Sequence, residues 1–169
     1  MRESVAAVTA NRQSVSPEDT EAFGVQLAAH RPRRDDGFAV VYLTGDLGAG
    51  KTTLARGFLR AIGVVGTVRS PTYTLLETYE AAGVTVVHLD LYRLQDASEL
   101  EALGLRDLAL PNHVWLVEWP ERGEGWLPPP DLRISLAVSK TGGTDARHLI
   151  DARGTSAYGN AWLSRLQSA

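Results

Sequence analysis

The sequence contains no cysteine among its 169 residues. Thiol catalysis, thiolate metal sites and disulfide bonds are therefore excluded, and a reducing cytoplasm is compatible with this composition. Long apolar runs are missing too, because no stretch approaches the roughly 18 consecutive apolar residues of a membrane helix. The patch Val5–Val8 is too short for a signal-peptide core. We therefore expect a cytoplasmic protein that does not bind membranes.

An excess of positive charge is also absent, since the formal net charge is -3. This value argues against a broad basic surface that neutralises nucleic-acid phosphates directly, so any RNA is expected to be held by a partner. Hydrophobic residues make up 44% and charged residues 22% of the chain, close to the globular average. From the length we predict one domain over residues 16–169, preceded by a flexible tail over residues 1–15.

Helix signals and apolar runs alternate along the chain. Helices are predicted at about 16–30, 51–62, 98–104 and 156–166. Strands are predicted at 38–44, 73–80, 84–89, 113–117, 132–138 and 148–150, with a turn at 141–143. The apolar runs indicate strands covered on both faces, whereas the alternation at 132–138 indicates a half-buried antiparallel strand. This order predicts an α/β three-layer sandwich of the phosphate-loop NTPase type, with a parallel central sheet and antiparallel strands added at its edges.

The segment Gly45–Thr52 contains a glycine, four further residues and then Gly50-Lys51-Thr52, between a predicted strand and a predicted helix. In this context backbone amides converge on phosphate oxygens, the lysine reaches the β and γ phosphates, and the threonine hydroxyl can ligate Mg²⁺. No Asn-Lys-x-Asp segment for guanine occurs, so we expect ATP with Mg²⁺. The predicted nucleotide contacts in this region are Asp46, Gly48, Ala49, Gly50, Lys51, Thr52 and Thr53. Asp46 could orient a nearby group or only brace the loop.

Two acidic residues follow predicted buried strands, where ligands of open α/β sheets bind. Asp90 comes after Val84–Leu89 and could organise magnesium, although an acid in this place can also be a strand terminator. Glu118 comes after Val114–Val117 and could orient the water that attacks the γ-phosphorus, or form an ion pair at the sheet edge. The sequence leaves both alternatives open.

Four separated segments together resemble the TsaE family, bacterial ATPases that act with TsaB and TsaD proteins to make threonylcarbamoyladenosine in tRNA. The segments are Gly45–Thr53, Ser70–Leu75, His88–Leu94 and Val117–Glu121. Their order is the family order, and the match covers most of residues 16–150. The resemblance implies an enzyme that hydrolyses ATP to ADP and phosphate, slowly without partners. It also implies TsaB- and TsaD-type partners, with tRNA reached through the complex.

The resemblance implies specific roles as well. It places Lys51 and Thr52 on phosphate and magnesium, Asp90 on magnesium through water, and Glu118 in hydrolysis beside the metal. The predicted catalytic residues are thus Glu118, Lys51 and Asp90, and the predicted metal site is Thr52, Asp90 and Glu118.

Two further residues enter through the resemblance. Thr72 lies in a switch-like segment that senses the γ-phosphate, although Pro71 could merely set up a strand entry. Trp119 is implied beside the nucleotide, with packing as the alternative. Arg69 and Arg93 could neutralise phosphate charge or form surface ion pairs.

A phosphate-loop small-molecule kinase is the main alternative enzyme. Such a kinase would carry an arginine-bearing lid, and the region Leu94–Pro111 has no arginine cluster. A second alternative is a regulatory binding module, in which the nucleotide changes the affinity for a protein partner.

Overall fold

The computed structural model describes residues 6–139 and 147–169. Within these ranges the strands are β1 (Thr9–Ser14), β2 (Ala39–Thr44), β3 (Leu76–Ala81), β4 (Val84–Asp90), β5 (His113–Glu118), β6 (Leu132–Ser139) and β7 (Arg147–Gly154). The α-helices are α1 (Pro17–Ala29), α2 (Lys51–Ala61), α3 (Glu99–Ala102) and α4 (Ala157–Gln167), and 3₁₀ helices span Leu105–Leu108 and Pro120–Gly123. None of the helices in these ranges has the length and apolar content that crossing a membrane would require. The predicted turn at 141–143 lies outside the described residues.

The strands form one sheet in the order β1-β7-β6-β2-β5-β4-β3. The four central strands β6, β2, β5 and β4 are parallel to one another. β3 pairs antiparallel with β4 at one edge, and β7 pairs antiparallel with β6 and β1 at the other. This arrangement confirms the predicted α/β fold of the phosphate-loop NTPase type.

Two hydrophobic clusters cover the sheet, one on each face. In β2, Val41 and Leu43 point to the cluster under α1, α2 and α4, whereas Val40 and Tyr42 point to the other cluster. This second cluster includes Leu100 of α3 and Leu105 of the first 3₁₀ helix. Because β2, β4 and β5 are buried from both sides, they appear as nearly continuous apolar runs in the sequence.

Helices α1 and α2 approach each other closely through two glycines. A Cβ atom at Gly24 would overlap the carbonyl oxygen of Leu54, and one at Gly57 would overlap the carbonyl oxygen of Glu21. The backbones therefore touch where a side chain would keep them apart. This contact fixes the position of α2, whose first residue is Lys51.

One prediction is wrong, and a second is correct only in part. The segment predicted as a flexible tail contains the strand β1, since Thr9–Ser14 pairs with β7. Only Ala10 and Ser14 of this strand are buried, so its conformation depends on pairing with a distant segment, which no local sequence pattern reveals. β6 is antiparallel to β7 but parallel to β2. Its residues alternate because one of its faces is open to solvent, which is independent of strand direction.

Candidate functional site

The glycine-rich loop begins where β2 ends and turns tightly into α2. Gly45 has a φ of 140° and lies against β6, where a Cβ atom would overlap the carbonyl oxygen of Leu136. Gly50 is the N-cap of α2 with a φ of 106°, in the left-handed region that favours glycine. The loop therefore has its shape because these two positions have no side chain, and it brings the positive end of α2 to its centre.

The side-chain ammonium of Lys51 is hydrogen-bonded to the backbone of the loop. Its Nζ donates to the carbonyl oxygens of Gly45 at 2.6 Å and Asp46 at 2.8 Å, and lies 4.2 Å from the centre of the Trp119 ring. Burial lowers the pKa of the Lys51 ammonium, while the carboxylate of Glu118 is the strongest influence in the opposite direction. The loop thus holds a desolvated cationic donor beside an aromatic face.

Glu118 lies at the carboxyl end of β5, and its side chain is buried. The Thr52 hydroxyl donates to both of its carboxylate oxygens at 3.0 Å. His88 Nε2 lies 2.8 Å from the same Oε1 atom. The first turn of α2 and the strand β4 therefore both contact this carboxylate.

Asp90 is the direct neighbour of Glu118 in the register between β4 and β5. Its Oδ2 atom accepts hydrogen bonds from the hydroxyls of Ser70 and, at 3.2 Å, Thr72. Its Oδ1 atom accepts from the backbone amide of Tyr92 at 3.0 Å. The aspartate thereby ties the loop before β3 to the carboxyl edge of the sheet.

These groups surround a cavity of about 440 Å³. Of the predicted site residues, the cavity is lined by Gly48, Gly50, Lys51, Thr52, Thr53, Thr72, Asp90, Glu118 and Trp119. Trp119 has a φ of 57°, and its ring lies 5.0 Å from that of Tyr92. The structure thus brings the loop and both acidic residues to one place, while their roles stay predictions.

The remaining predicted residues differ in their placement. Asp46 takes part through its carbonyl oxygen, and Ala49 is buried with its carbonyl facing His148 Nδ1 at 2.9 Å. Arg93 lines the cavity and stacks on Tyr73 at 4.4 Å, whereas Arg69 is exposed.

The donor set fits a triphosphate with Mg²⁺. Lys51, Thr52 and the amides of the loop can donate to phosphate oxygens, and the nearby carboxylates and hydroxyls are hard oxygen ligands. Across residues 6–139 and 147–169, no three His, Asp or Glu side chains form a group that could hold a metal ion by themselves. Magnesium is commonly held by one or two carboxylates together with phosphates, so such a cage is not required.

Sequence reasoning assigned no role to three polar residues that contact the site. His88 was detectable, since it lies two positions before Asp90 and therefore shares its face of β4. Ser70 begins the segment Ser70–Leu75 that resembles the family, but its contact to Asp90, like the contact of His148 to Ala49, depends on distant chain segments meeting in the fold.

Comparison with known families and proteins identifies similar chains. A family described as "Threonylcarbamoyl adenosine biosynthesis protein TsaE" matches residues 14–148. The tRNA threonylcarbamoyladenosine biosynthesis protein TsaE of Bacillus subtilis is 39% identical over 137 residues, covering 81% of each chain. The protein of the same name from Haemophilus influenzae is 54% identical over 97 residues, which is 57% of this chain. That match spans 61% of the Haemophilus protein, less than two thirds of its length.

A solved structure is also similar. The crystal structure of Bacillus subtilis YdiB superposes with a TM-score of 0.73 at 27% identity, covering 98% of both chains.

Proposed function

The chain belongs to the TsaE family, and on that premise we propose that it binds ATP with Mg²⁺ and hydrolyses it to support threonylcarbamoyladenosine synthesis in tRNA. One observation carries the proposal. The ammonium of Lys51, the hydroxyl of Thr52 and the carboxylates of Asp90 and Glu118 line the same cavity. We place this activity in the cytoplasm.

Binding would use donors that the loop already presents. Lys51 now bonds two loop carbonyls and would turn to the β and γ phosphate oxygens, exchanging neutral acceptors for charged ones. Bound Mg²⁺ would supply neutralisation of the phosphate charge. Thr52, Asp90 and Glu118 are the residues that would hold it, directly or through water. The ring of Trp119 would close one side of the site.

Hydrolysis would depend on Glu118. Its carboxylate would orient a water molecule and accept a proton as the water oxygen bonds to the γ-phosphorus. The bond from the γ-phosphorus to the β,γ-bridging oxygen breaks, so that ADP leaves with the bonding electron pair and phosphate is released. Burial of Glu118 keeps the carboxylate in a fixed orientation, and the protein contributes positioning and charge with no covalent step.

The contacts of Asp90 also support a regulatory role for the nucleotide. Ser70 and Thr72 bond the carboxylate that would turn to the metal, so binding of Mg²⁺-ATP would change the hydrogen bonds of the loop at 70–74. This loop carries Tyr73, which is 83% exposed. A shift of this surface would alter the affinity for partners of the TsaB and TsaD type, which would hold the tRNA.

Calorimetry with Mg²⁺-ATP and an assay of phosphate release test the activity. We expect binding that requires Mg²⁺, and free phosphate as the product. Incubation with labelled ATP and candidate small-molecule acceptors provides the matched test of a kinase. Label transferred to an acceptor, or no heat on titration with Mg²⁺-ATP, would contradict the proposal.

Depletion of the protein in its host, followed by nucleoside mass spectrometry of bulk tRNA, tests the pathway. We expect threonylcarbamoyladenosine to fall and to be restored by the wild-type chain but not by a Glu118→Ala chain. An unchanged amount of threonylcarbamoyladenosine after depletion would refute the role in tRNA modification. It would not bear on the proposed ATPase activity.

A further inference from the structure

A histidine that the proposed reaction does not use lies directly behind the candidate active site. His88 is fully buried in β4, where it faces Leu116 in the register with β5. Side chains two positions apart on a strand share a face, so His88 and Asp90 point to the same side of the sheet as Leu116 and Glu118. His88 therefore lies one step further from the cavity than the two acids.

The hydrogen bond between His88 and Glu118 determines which nitrogen carries a proton. A carboxylate only accepts, so His88 Nε2 must donate across the 2.8 Å to Glu118 Oε1. The other nitrogen, Nδ1, is buried and has no hydrogen-bond partner among the described residues. An unpartnered buried polar atom is unfavourable, and an apolar side chain of similar size would avoid it. The hydrogen bond to Glu118 is therefore the one contact that an imidazole makes at this position and an apolar side chain could not make.

Two side chains, those of Thr52 and His88, hydrogen-bond the Glu118 carboxylate, and only one of these contacts can persist when Mg²⁺ is bound. Thr52 donates to both carboxylate oxygens, but the proposed function assigns the Thr52 hydroxyl to Mg²⁺. Once that hydroxyl turns to the metal, the carboxylate would lose its contact with α2. His88 lies on the sheet and away from the cavity, so its bond to Oε1 can persist.

We propose that His88 is a positioning residue that holds the Glu118 carboxylate in place by a hydrogen bond from Nε2 when Thr52 is occupied by the metal. The inference rests on the proposed ATPase function. His88 does not contact the nucleotide; it fixes one carboxylate oxygen and leaves Oε2 to face the reacting water.

The first test separates positioning from packing. His88→Leu keeps a side chain of substantial volume but removes the donor, whereas His88→Gln retains an amide donor of similar reach. We expect His88→Leu to lower kcat by about 10- to 100-fold, as for a misplaced catalytic group. The KM and the calorimetric Kd for Mg²⁺-ATP should change by less than about threefold, since His88 lies outside the binding cavity. His88→Gln should recover most of the lost kcat.

The matched control is His113→Leu, a histidine at the opposite end of β5 whose ring contacts the carbonyl oxygen of Pro111. It should leave kcat unchanged. Equal losses of kcat in His88→Leu and His88→Gln, or a loss of Mg²⁺-ATP affinity that parallels the loss of kcat, would overturn the proposal.

The second test needs neither activity nor a folded leucine variant. Long-range ¹H–¹⁵N correlation spectra of the nucleotide-free protein report which ring nitrogen is protonated, and the chain has four histidines, so the signal that disappears in His88→Gln identifies the ring. We expect a proton on Nε2, and a shift of that nitrogen in Glu118→Ala. A ring protonated on Nδ1 alone would contradict the inference.

The two failures are distinguishable. A wild-type protein without ATPase activity refutes the proposed function, whereas an active wild-type protein with an equally active His88→Leu variant refutes only the role of His88.

Discussion

The proposed function gives Lys51 and Glu118 separable tasks in the candidate site. Lys51 is a cationic donor beside the loop, and Glu118 is a buried acceptor at the end of β5. We predict that Glu118→Ala lowers turnover by at least about 100-fold, because the group that orients water is lost, while Mg²⁺-ATP still binds. Lys51→Ala should weaken binding by about tenfold or more and lose turnover as well.

Phosphate release and calorimetry on both variants measure these effects. Glu101→Ala, at an exposed position of α3, serves as the control and should match wild type. Unchanged turnover in Glu118→Ala would remove the catalytic assignment.

Among single residues, the sequence indicated those whose position in a local pattern follows from the chemistry of phosphate and metal binding. Gly45, Gly50 and Lys51 belong to one short pattern, and Asp90 and Glu118 each follow an apolar run. Contacts that join distant segments, such as that of His148 with the carbonyl of Ala49, leave no local sequence pattern. They could be identified only from the three-dimensional structure.

At the scale of elements, the contact between α1 and α2 supports the glycine-rich loop. We predict that Gly57→Ala destabilises the protein by about 1–3 kcal/mol, because the added methyl group would force the two helix backbones apart. Since α2 begins at Lys51, its displacement should also weaken Mg²⁺-ATP binding.

Urea denaturation and calorimetry check this prediction. Gly37→Ala is the matched control, because its Cβ would meet only the Arg34 side chain at ordinary van der Waals distances of 3.5 Å and beyond. Equal unfolding free energies for Gly57→Ala and wild type would contradict it.

Elements were predictable where burial imposes a pattern. β2, β4 and β5 are apolar because both of their faces are covered, and α1 has a capping serine followed by proline. β1 escaped prediction because the segment Thr9–Ser14 is mostly polar and exposed, and backbone pairing with β7 determines its conformation.

For the molecule as a whole, Asp131 joins distant parts of the chain. Its Oδ2 atom accepts from Arg34 at 2.9 Å and from the amide of Val40 at 3.0 Å, and Oδ1 accepts from the Ser156 hydroxyl at 2.6 Å. We predict that Asp131→Ala lowers the free energy of unfolding by about 2–4 kcal/mol, since buried donors and a partly buried arginine lose their acceptor.

Chemical denaturation measures this loss. Asp35→Ala, which removes an exposed ion pair with Arg33, is the control and should have little effect. Comparable losses in the two variants would show that Asp131 is not a structural centre.

Stability should also decline in alkaline solution. Burial raises the pKa of Tyr42 and Tyr158, and burial together with the hydrogen bond to Glu77 raises the pKa of Tyr79 to about 12. The unfolded chain releases these protons near pH 10, before the folded state does. The unfolded state is therefore favoured increasingly as pH rises from about 10 towards 12, and the contribution is fully present below that range.

Unfolding free energies measured at pH 8 and at intervals above pH 10 test this dependence. A variant with Tyr42, Tyr79 and Tyr158 replaced by phenylalanine should show a flatter alkaline slope. An identical slope would contradict the assignment.

The placement of Trp119 gives the molecule a built-in optical reporter. Its indole ring lies against the Lys51 ammonium and the Tyr92 ring at the wall of the cavity, whereas Trp162 is fully buried under α1. When Lys51 exchanges the indole face for phosphate, the emission of this fluorophore should change in proportion to occupancy. Stopped-flow mixing could then follow nucleotide arrival and departure on an unlabelled chain, with Trp119→Phe as the silent reference.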